Sequence, residues 1–263
     1  MMRLAPYRCL LTQALERSGE IMLKHFGKAR VSYKGPANLL TQADLESQAS
    51  ILSLIRSRFP SHDYKAEETG SKMTGAEFVW VIDPLDGTTN YAHGYPAACV
   101  SIALLRRGAP LIAGIYDPFR DEAFLAESGR GARLNGKKLN VSRTPQLKES
   151  LLITGFAYDR AERSRYYIEF YRDFMTRCHD VRRSGAAALD LAWIAAERAD
   201  GFWEMRLSPW DVAAGLLLVR EAGGRVTDFS GKPWRELSQF GRQTLATNGL
   251  IHKEMIRILK IHL

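Results

Sequence analysis

Two aspartates at the end of an apolar run, one directly after it and one three residues further on, are the residues of this 263-residue sequence best suited to chemistry. The run Phe78–Ile82 predicts a strand buried on both faces, and it places Asp83 at the carboxyl end, where open α/β sheets usually bind ligands. Pro84 has no amide hydrogen, so it is expected to stop strand pairing and to turn the chain. Asp83 and Asp86 can then converge, with the carbonyl of Leu85 exposed between them.

The residues after Asp86 are suited to an anion. Gly87 permits an unusual backbone angle, and Thr88 can begin a helix whose free amide groups favour an anion such as phosphate. Two carboxylates and a carbonyl beside such a helix start suit a hard, oxygen-binding cation such as Mg²⁺. The alternative is a surface turn, because Asp, Pro and Gly are common turn residues, but the strong strand before Asp83 favours a site.

A different phosphatase chemistry would use an aspartate as the nucleophile. Enzymes of the haloacid dehalogenase type place Asp-x-Asp-Gly-Thr at a strand end, and the first Asp attacks phosphorus. Here the residue two positions before Asp86 is Pro84, which cannot attack. The sequence therefore favours water activated by a metal ion over a covalent intermediate.

Acidic residues elsewhere could complete a metal cluster. Glu67 lies in a polar segment upstream of the predicted strand. The segments Thr41–Asp44 and Ser208–Asp211 both have the pattern of a capping box, and the local pattern alone favours capping over catalysis. The two roles are compatible, because a carboxylate at a helix start is already oriented and is favoured as the anion.

Composition excludes several classes of protein. The chain is 46% hydrophobic and 25% charged, as globular proteins are, and no apolar run approaches the ~20 residues of a membrane span. Its three cysteines are far apart and lack metal-ligand spacing, so we expect no disulfide framework and a reducing, cytoplasmic location. The net charge of +8 favours polyanionic partners, from phosphorylated metabolites to RNA, although no nucleic-acid motif accompanies it.

Periodicity and turn residues predict the elements that position these side chains. Helices are expected over residues 4–26, 41–59, 160–178, 187–199, 209–222 and 251–263, and strands over 78–82, 99–105, 111–116, 123–126, 151–154 and 201–204. Asn135-Gly136 predicts a type I′ hairpin in an antiparallel meander. We expect an α+β half over residues 1–144, which contains Asp83 and Asp86, and an α/β half over residues 145–263, which contains Asp211.

Several stretches resemble the inositol monophosphatase family, and most closely its bacterial members. Residues 83–90 (DPLDGTTN) resemble the first signature of the family, and residues 210–224 (WDVAAG to EAGG) resemble the second. Shorter matches are LTQAD at residues 40–44, EET at 67–69 and RSGAAALD at 183–190. The resemblance implies a layered α/β/α/β/α sandwich of the inositol monophosphatase and fructose-1,6-bisphosphatase type.

The resemblance also implies a metal site with two to three Mg²⁺ ions. The positions that match ligands of the first two ions are Glu67, Asp83, Leu85 (through its carbonyl), Asp86 and Asp211. Asp83 would bridge this pair of ions. Glu67 and Asp44 match positions associated with a third, weaker ion, and Asp44 with Thr88 is expected to orient the attacking water. The catalytic residues implied are Glu67, Thr88 and Asp44.

The substrate implied is a small phosphate monoester, myo-inositol monophosphate first. The amides of Gly87 and Thr88 would bind its phosphate. The positions that match contacts to the alcohol are Asp86, Gly185, Ala187, Glu204 and Asp211. Fructose 1,6-bisphosphate or a 3′-phosphorylated nucleotide is the alternative substrate. Arg206 departs from the bacterial pattern, which usually has glycine there, and this long cation could reshape the alcohol pocket or contact a second phosphate.

The family is usually dimeric and commonly inhibited by lithium, so a homodimer with lithium sensitivity is expected. Some bacterial relatives are linked to the transcription of ribosomal RNA. Together with the positive charge of the chain, this gives a second hypothesis of another class, a contact with RNA or with a transcription complex. No membrane partner is expected.

Overall fold

Five layers of helix and sheet build the fold, which we describe from a computed structural model that covers residues 4–28, 31–35 and 38–262. The α-helices are α1 Ala5–His25, α2 Gln42–Arg58, α3 Thr88–Ala92, α4 Arg160–Met175, α5 Ala187–Ala195, α6 Pro209–Glu221 and α7 His252–Leu259. The strands of the N-terminal part are β1 Val31–Gly35, β2 Asn38–Thr41, β3 Asp63–Ala66, β4 Ser71–Lys72, β5 Phe78–Asp86, β6 Cys99–Arg106, β7 Ala109–Asp117, β8 Glu122–Glu127, β9 Gly131–Leu134 and β10 Lys137–Lys138. Those of the C-terminal part are β11 Leu151–Thr154, β12 Asp180–Arg182, β13 Gly201–Met205, β14 Arg225–Thr227 and β15 Gln243–Thr247.

An eight-stranded sheet has the order β10-β9-β8-β7-β6-β5-β3-β4, while β1 and β2 form a separate hairpin. Strands β5 to β10 pair antiparallel with their sequence neighbours, which confirms the predicted meander, and β3 pairs parallel with β5. Asn135 and Gly136 have φ angles of 47° and 81° in the turn between β9 and β10. Positive φ at both residues is the signature of a type I′ turn, so this prediction is confirmed.

A five-stranded sheet in the C-terminal part has the order β12-β11-β13-β15-β14. Strands β12, β11 and β13 are parallel, whereas β15 runs antiparallel to both β13 and β14. This half therefore combines the predicted alternation of strands and helices with one antiparallel strand, β15, between β13 and the edge strand β14. The predicted division between residues 144 and 145 falls between β10 and β11 along the chain, and its use as a domain boundary stays a prediction.

Alternation of side chains along the buried strands separates two hydrophobic cores. In β5, Trp80 and Ile82 pack into the core under α1 and α2, and Val81 points to the core around α5 and α6. Helices α5 and α6 contact both sheets, and α4 and α7 cover the outer face of the small sheet, with Phe174 and Met255 in a third core. The order of layers is α/β/α/β/α, as expected.

The helix boundaries follow the sequence signals with a few differences at the C-termini. Thr41 and Ser208 are the N-caps of α2 and α6, as their capping-box patterns predict. Helix α4 ends at Met175 rather than 178, and α5 ends at Ala195 rather than 199, shortly before Glu197 at φ 62°. Helix α7 ends at Leu259 and a 3₁₀ turn follows; the predicted last helical residue, Leu263, lies outside the described residues. Within the described ranges, no helix is both long and apolar enough to cross a membrane.

Candidate active site

A bulge near the end of β5 brings Asp83 and Asp86 to the same side of the sheet. In the register with β6, Asp83 faces Ser101 and Asp86 faces Cys99, so β5 has one more residue than its partner over this interval. Side chains alternate along a strand, so residues three apart would otherwise point to opposite faces. Pro84 lies inside the bulge. The strand therefore continues to Asp86, and the prediction that pairing stops before Pro84 is wrong.

Two hydrogen bonds fix the backbone of this bulge. The hydroxyl of Ser47, on α2, donates to the carbonyl oxygen of Pro84 at 2.9 Å. The amide of Leu85 donates to Oδ1 of Asp83 at 3.0 Å. All four residues are buried, so these contacts replace hydrogen bonds that water cannot supply there. The fixed turn keeps the carboxylates of Asp83 and Asp86 in the positions that the bulge gives them.

Asp44 belongs both to a helix cap and to the site. Its Oδ2 accepts hydrogen bonds from the amide and the hydroxyl of Thr41, at 2.8 and 2.5 Å. Its Oδ1 lies 3.2 Å from the hydroxyl oxygen of Thr88, which is also 3.0 Å from the carbonyl oxygen of Leu85. The predicted pair of Asp44 and Thr88 is therefore in contact, and the cap orients the carboxylate toward Thr88.

Asp211 reaches the same place from the other half of the chain. It lies in the first turn of α6, where its Oδ2 accepts a hydrogen bond from the amide of Ser208 at 2.7 Å. Carboxylate oxygens of Asp83, Asp86 and Asp211 all lie within 4.8 Å of one another. Asp211, 125 positions after Asp86 in the sequence, thus joins Asp83 and Asp86 in one cluster of carboxylates.

Asp86 connects this cluster to α5. Its Oδ2 accepts a hydrogen bond of 2.7 Å from the amide of Ala188, in the first turn of that nine-residue helix. The free amides of a helix N-terminus favour a carboxylate in its charged form. The contact therefore fixes both the orientation of Asp86 and the position of α5 beside it.

The cluster is electrostatically unfavourable without a counter-charge. Burial raises the pKa of Asp83 well above its usual value, and the negative charges of Glu67, Asp86 and Asp211 raise it further. Burial likewise raises the pKa of Asp211 well above normal and that of Asp86 to about 7. Bound cations are the ordinary means by which proteins accommodate such crowded acids. Carboxylates and a backbone carbonyl are the ligands that hard divalent ions prefer, so the residues present fit such ions.

These residues line a cavity of about 470 Å³, within the usual size range of a small-molecule site. The predicted site residues on its walls are Glu67, Asp83, Leu85, Asp86, Gly87, Thr88, Gly185, Ala187, Glu204 and Asp211. Asp44 lies behind the wall, in contact with Thr88. The structure therefore brings every sequence-predicted site residue to one place, while the role of each in binding or catalysis stays a prediction.

Two glycines allow close approaches in this cavity. Gly87 has a φ of 88°, and a Cβ atom there would lie 2.8 Å from the carbonyl oxygen of Ala97. A Cβ on Gly155 would lie 2.2 Å from a carboxylate oxygen of Glu204. Both distances are too short for a side chain. Glu204 itself is buried, and this burial, followed by the charge of Asp190, raises its pKa well above normal.

Sequence reasoning did not find several residues of this cavity. Phe156 and Tyr158, between β11 and α4, line it, as does Arg160, the first residue of α4. Arg183, which begins the quoted segment RSGAAALD but had no predicted role, lines it too. No motif marks the loop after β11, whose position at a strand end was the available signal. Asn90 was part of the first signature but had no predicted role; its amide group donates to the carbonyl oxygens of Ala97 and Ser184, at 2.8 Å each, and so ties two loops of the site together.

Comparisons of the sequence and of the fold with known proteins identify the family. A model of the inositol monophosphatase family matches residues 4–262. An inositol-1-monophosphatase of Synechocystis sp. is 45% identical over 255 residues, which cover 95% of this chain and 87% of that protein. A protein of Escherichia coli named Nus factor SuhB is 42% identical over 230 residues, 86% of either chain. The solved structure of an inositol monophosphatase from Anabaena (Nostoc) sp. superposes with a TM-score of 0.89 at 42% identity and covers 99% of this chain and 97% of that one.

Fold and comparisons together place the protein among the metal-dependent phosphatases, which hydrolyse phosphoric monoesters. Within that class, the chain belongs to the inositol monophosphatase family.

Proposed function

We propose that the protein hydrolyses small phosphate monoesters with Mg²⁺ as its metal, and that myo-inositol monophosphate is its main substrate. The observation that carries this proposal is the convergence of Asp83, Asp86 and Asp211 within 4.8 Å in a chain 45% identical to an inositol-1-monophosphatase. A cavity of about 470 Å³ has room for a phosphorylated polyol beside that cluster.

In this proposal the carboxylates of the cluster bind the metal ions. Glu67, Asp83 and the carbonyl of Leu85 would hold one ion. Asp83, Asp86 and Asp211 would hold a second, and Glu67 with Asp44 would hold a third. Mg²⁺ ions, when bound, lower the pKa of a coordinated water and neutralise charge on the phosphate oxygens. The raised pKa values of Asp83, Asp86 and Asp211 support such a role, because nearby positive charge would favour their charged forms.

Thr88 is suited to orient the attacking water. When its hydroxyl donates to Asp44 at 3.2 Å, the lone pairs of its oxygen remain available to accept a hydrogen bond from water. The carbonyl of Leu85 is then free to bind a cation. The amides of Gly87 and Thr88 are proposed to bind the phosphate, and the left-handed backbone of Gly87 lets the chain approach it closely. No residue has to attack phosphorus itself.

The alcohol part of the substrate is proposed to contact five residues that line the cavity: Asp86, Gly185, Ala187, Glu204 and Asp211. Carboxylates such as that of Glu204 accept hydrogen bonds from the hydroxyls of a polyol, which favours a polyol over an apolar alcohol. Fructose 1,6-bisphosphate and 3′-phosphorylated nucleotides are the alternative substrates for the same site.

A substrate panel tests this assignment. Phosphate release from inositol 1-phosphate, fructose 1,6-bisphosphate and a 3′-phosphonucleotide is measured with Mg²⁺ and ranked by kcat/KM. We expect inositol 1-phosphate to rank first. A preference of more than a hundredfold for either alternative would replace it as the main substrate. The variant Asp83→Asn should be inactive on every member of the panel, whereas Asp180→Asn, which alters an exposed carboxylate on β12, should keep full activity.

A second role, binding of RNA or of a transcription complex, has support of its own. The E. coli relative is named Nus factor SuhB, and this chain carries a net charge of +8. Electrostatic binding to RNA weakens steeply as salt increases. Binding of this kind that persists in Asp83→Asn would support a role separate from catalysis, and absence of binding at low salt would remove it.

We also propose a homodimer that lithium inhibits and that works in the cytoplasm. Family membership supports the first two properties. The three cysteines, Cys9, Cys99 and Cys178, are free, which suits a reducing compartment. Light scattering of the purified protein tests the dimer, and phosphate release in the presence of lithium chloride tests the inhibition.

A further inference from the structure

Three arginines line the same cavity as the carboxylates. Arg160 is the first residue of α4, Arg183 follows β12, and Arg206 follows β13. Hydrolysis of one phosphate monoester at the carboxylate cluster gives no evident task to these three cations in the lining of the cavity. Their presence there points to negative charge on the part of the substrate that is not cleaved.

The backbone of Arg206 is unusual. Its φ is 60°, in the left-handed region that glycine adopts freely and other residues rarely adopt. Five non-glycine residues in the described part of the chain have positive φ, and Arg206 is the one of these on the wall of this cavity. Its amide donates to the carbonyl oxygen of Arg242 at 2.9 Å, which fixes the backbone. A strained backbone that carries a side chain to a cavity indicates a functional task for that side chain.

The guanidinium of Arg206 has N–H donors that no described residue accepts. Its Nη1 contacts Oδ2 of Asp159, the N-cap of α4, and this is its one partner among the described residues. The side chain of Arg206 is 57% exposed, and such exposed pairs contribute little to stability. The other oxygen of Asp159 accepts a hydrogen bond from the hydroxyl of Tyr167 at 2.6 Å, so Asp159 keeps a partner when Arg206 moves.

The guanidinium of Arg160 also has unused hydrogen-bond donors. In the ranges that the structure describes, its guanidinium forms no ion pair and no hydrogen bond, although it lines the cavity one residue after Asp159. Arginine binds phosphate and carboxylate through two parallel hydrogen bonds, and it does so better than it binds an exposed single carboxylate oxygen. Two arginines with unused donors therefore line the cavity, one in contact with Asp159 and the other next to it in the chain.

We propose that Arg206 and Arg160 form a subsite for a second anionic group, a phosphoryl or carboxylate group on the alcohol part of the substrate. The inference rests on the proposed phosphatase activity and extends its substrate class, beyond the monophosphate, to phosphate monoesters that carry one further negative group. Asp159 holds Arg206 at the wall of the cavity until that group arrives. Of two substrates that differ only in the second anionic group, the one that carries the group should have the higher kcat/KM, because its KM is lower.

The test compares inositol 1-phosphate with inositol 1,4-bisphosphate, which differ only in the second phosphate. The measured quantity is the ratio of kcat/KM for the bisphosphate to that for the monophosphate. We expect Arg206→Gly to lower this ratio at least fivefold, mainly through the KM of the bisphosphate, and Arg160→Met to lower it in the same direction. Glycine suits the backbone at φ 60°, so Arg206→Gly should fold.

Arg163→Met is the matched control. Arg163 is on the same helix as Arg160 and its guanidinium lies 3.9 Å from Asp159, but it does not line the cavity. The ratio in this variant should equal that of the wild type. Equal losses on both substrates in Arg206→Gly and Arg160→Met, or a ratio lowered as much by Arg163→Met, would overturn the subsite and leave the phosphatase proposal intact. Failure of the wild type to hydrolyse either substrate would overturn both.

Discussion

Asp211 shows how one side chain can serve stability and chemistry together. Its Oδ2 accepts the amide hydrogen of Ser208 and so caps α6, while one of its carboxylate oxygens lies within 4.8 Å of carboxylate oxygens of Asp83 and Asp86. The cap fixes the rotamer, because an N3 carboxylate has to fold back to reach the N-cap amide. The negative charge of Asp211 is unfavourable in this position, since burial and acidic neighbours raise the pKa of its carboxyl group well above normal.

Substitutions at Asp211 separate these two tasks. Asp211→Asn keeps an oxygen for the cap and removes the charge, so in EDTA the free energy of unfolding should be no lower than that of the wild type. Phosphate release should fall by roughly 100-fold or more, because metal binding supplies several kcal/mol of transition-state stabilisation. Asp211→Ala also loses the cap and should be less stable than Asp211→Asn by about 1 kcal/mol in urea unfolding. Wild-type activity in Asp211→Asn would contradict the proposed role.

Gly87 is constrained both by its backbone angle and by its neighbours. Gly87→Ala should lower the free energy of unfolding by about 2–3 kcal/mol, because it adds left-handed strain and a contact of 2.8 Å with the Ala97 carbonyl. Activity should fall too, since the loop must shift.

Gly94 is the control: its φ is 71° but a Cβ there meets nothing within 4 Å. Gly94→Ala should cost about 1 kcal/mol and spare activity. Equal effects of the two variants on activity would show that close packing at Gly87 is unimportant.

At the scale of elements, one histidine ties the C-terminal helix to the small sheet. His252, the first residue of α7, is fully buried; its Nδ1 and Nε2 lie 2.8 and 2.9 Å from the hydroxyl oxygens of Thr247 on β15 and Thr227 on β14. Burial, with a smaller effect of the positive charge of Arg225, lowers its pKa from 6.5 to about 4. The folded protein therefore favours the neutral imidazole.

Stability should depend on pH through this residue. The unfolded chain takes up a proton near pH 6.5 and the folded chain near pH 4, so the folded state loses stability as pH falls through that window. Between pH 7 and pH 5 the loss attributable to His252 should be about 2 kcal/mol. Urea unfolding of wild type and His252→Gln at both pH values measures it as the difference between their pH slopes. Identical slopes would mean that His252 keeps its normal pKa.

The elements differ in how far the sequence predicts them. The meander, the hairpin at Asn135-Gly136 and the long helices follow from local patterns, and they formed as expected. The end of β5 was not predicted correctly, because proline normally stops a strand. The bulge that accommodates Pro84 depends on pairing with β6 and on the hydroxyl of Ser47, which are distant in the sequence. Strand β15 was missed, since its short segment Gln243–Thr247 becomes a strand through its pairing with β13 and β14.

The candidate site was more predictable than its surroundings. Asp83 and Asp86 could be found from the strand that ends beside them. The capping box at Asp211 by itself favoured capping, and the resemblance to the family supplied its place in the site. The walls of the cavity could not be found in this way. Tyr158 lies in a loop without a motif and Arg160 begins the helix after it, and only the stacking of the two sheets brings this segment to the same cavity as the end of β5.

At the scale of the whole molecule, the cavity lies where the layers meet. Asp83 and Asp86 come from the large sheet, Asp211 from α6 between the sheets, and Glu204 from β13 of the small sheet. Asp86 also accepts the amide hydrogen of Ala188 on α5. A ligand shared by these residues therefore connects several layers, and binding that requires the folded arrangement stabilises it.

Metal binding should accordingly raise the stability of the whole fold. At a Mg²⁺ concentration a hundred times its Kd, the free energy of unfolding should increase by about 2.7 kcal/mol over protein in EDTA. For a chain of this size that is a rise in Tm of roughly 5–10 °C, measurable by calorimetry. Asp83→Asn should show a much smaller rise, and Asp180→Asn the full one. A Tm that is the same in EDTA and in Mg²⁺ would contradict this expectation.

One measurement tests most directly whether the carboxylates that meet in this cavity bind the cations on which hydrolysis depends. Protein is stripped with EDTA, Mg²⁺ is added back in steps, and phosphate release from inositol 1-phosphate is followed in the wild type and in Asp83→Asn. We expect no release from stripped wild type, a saturable return of activity with Mg²⁺, and no return in the variant. Full activity after stripping, or the same Mg²⁺ dependence in Asp83→Asn, would contradict the account.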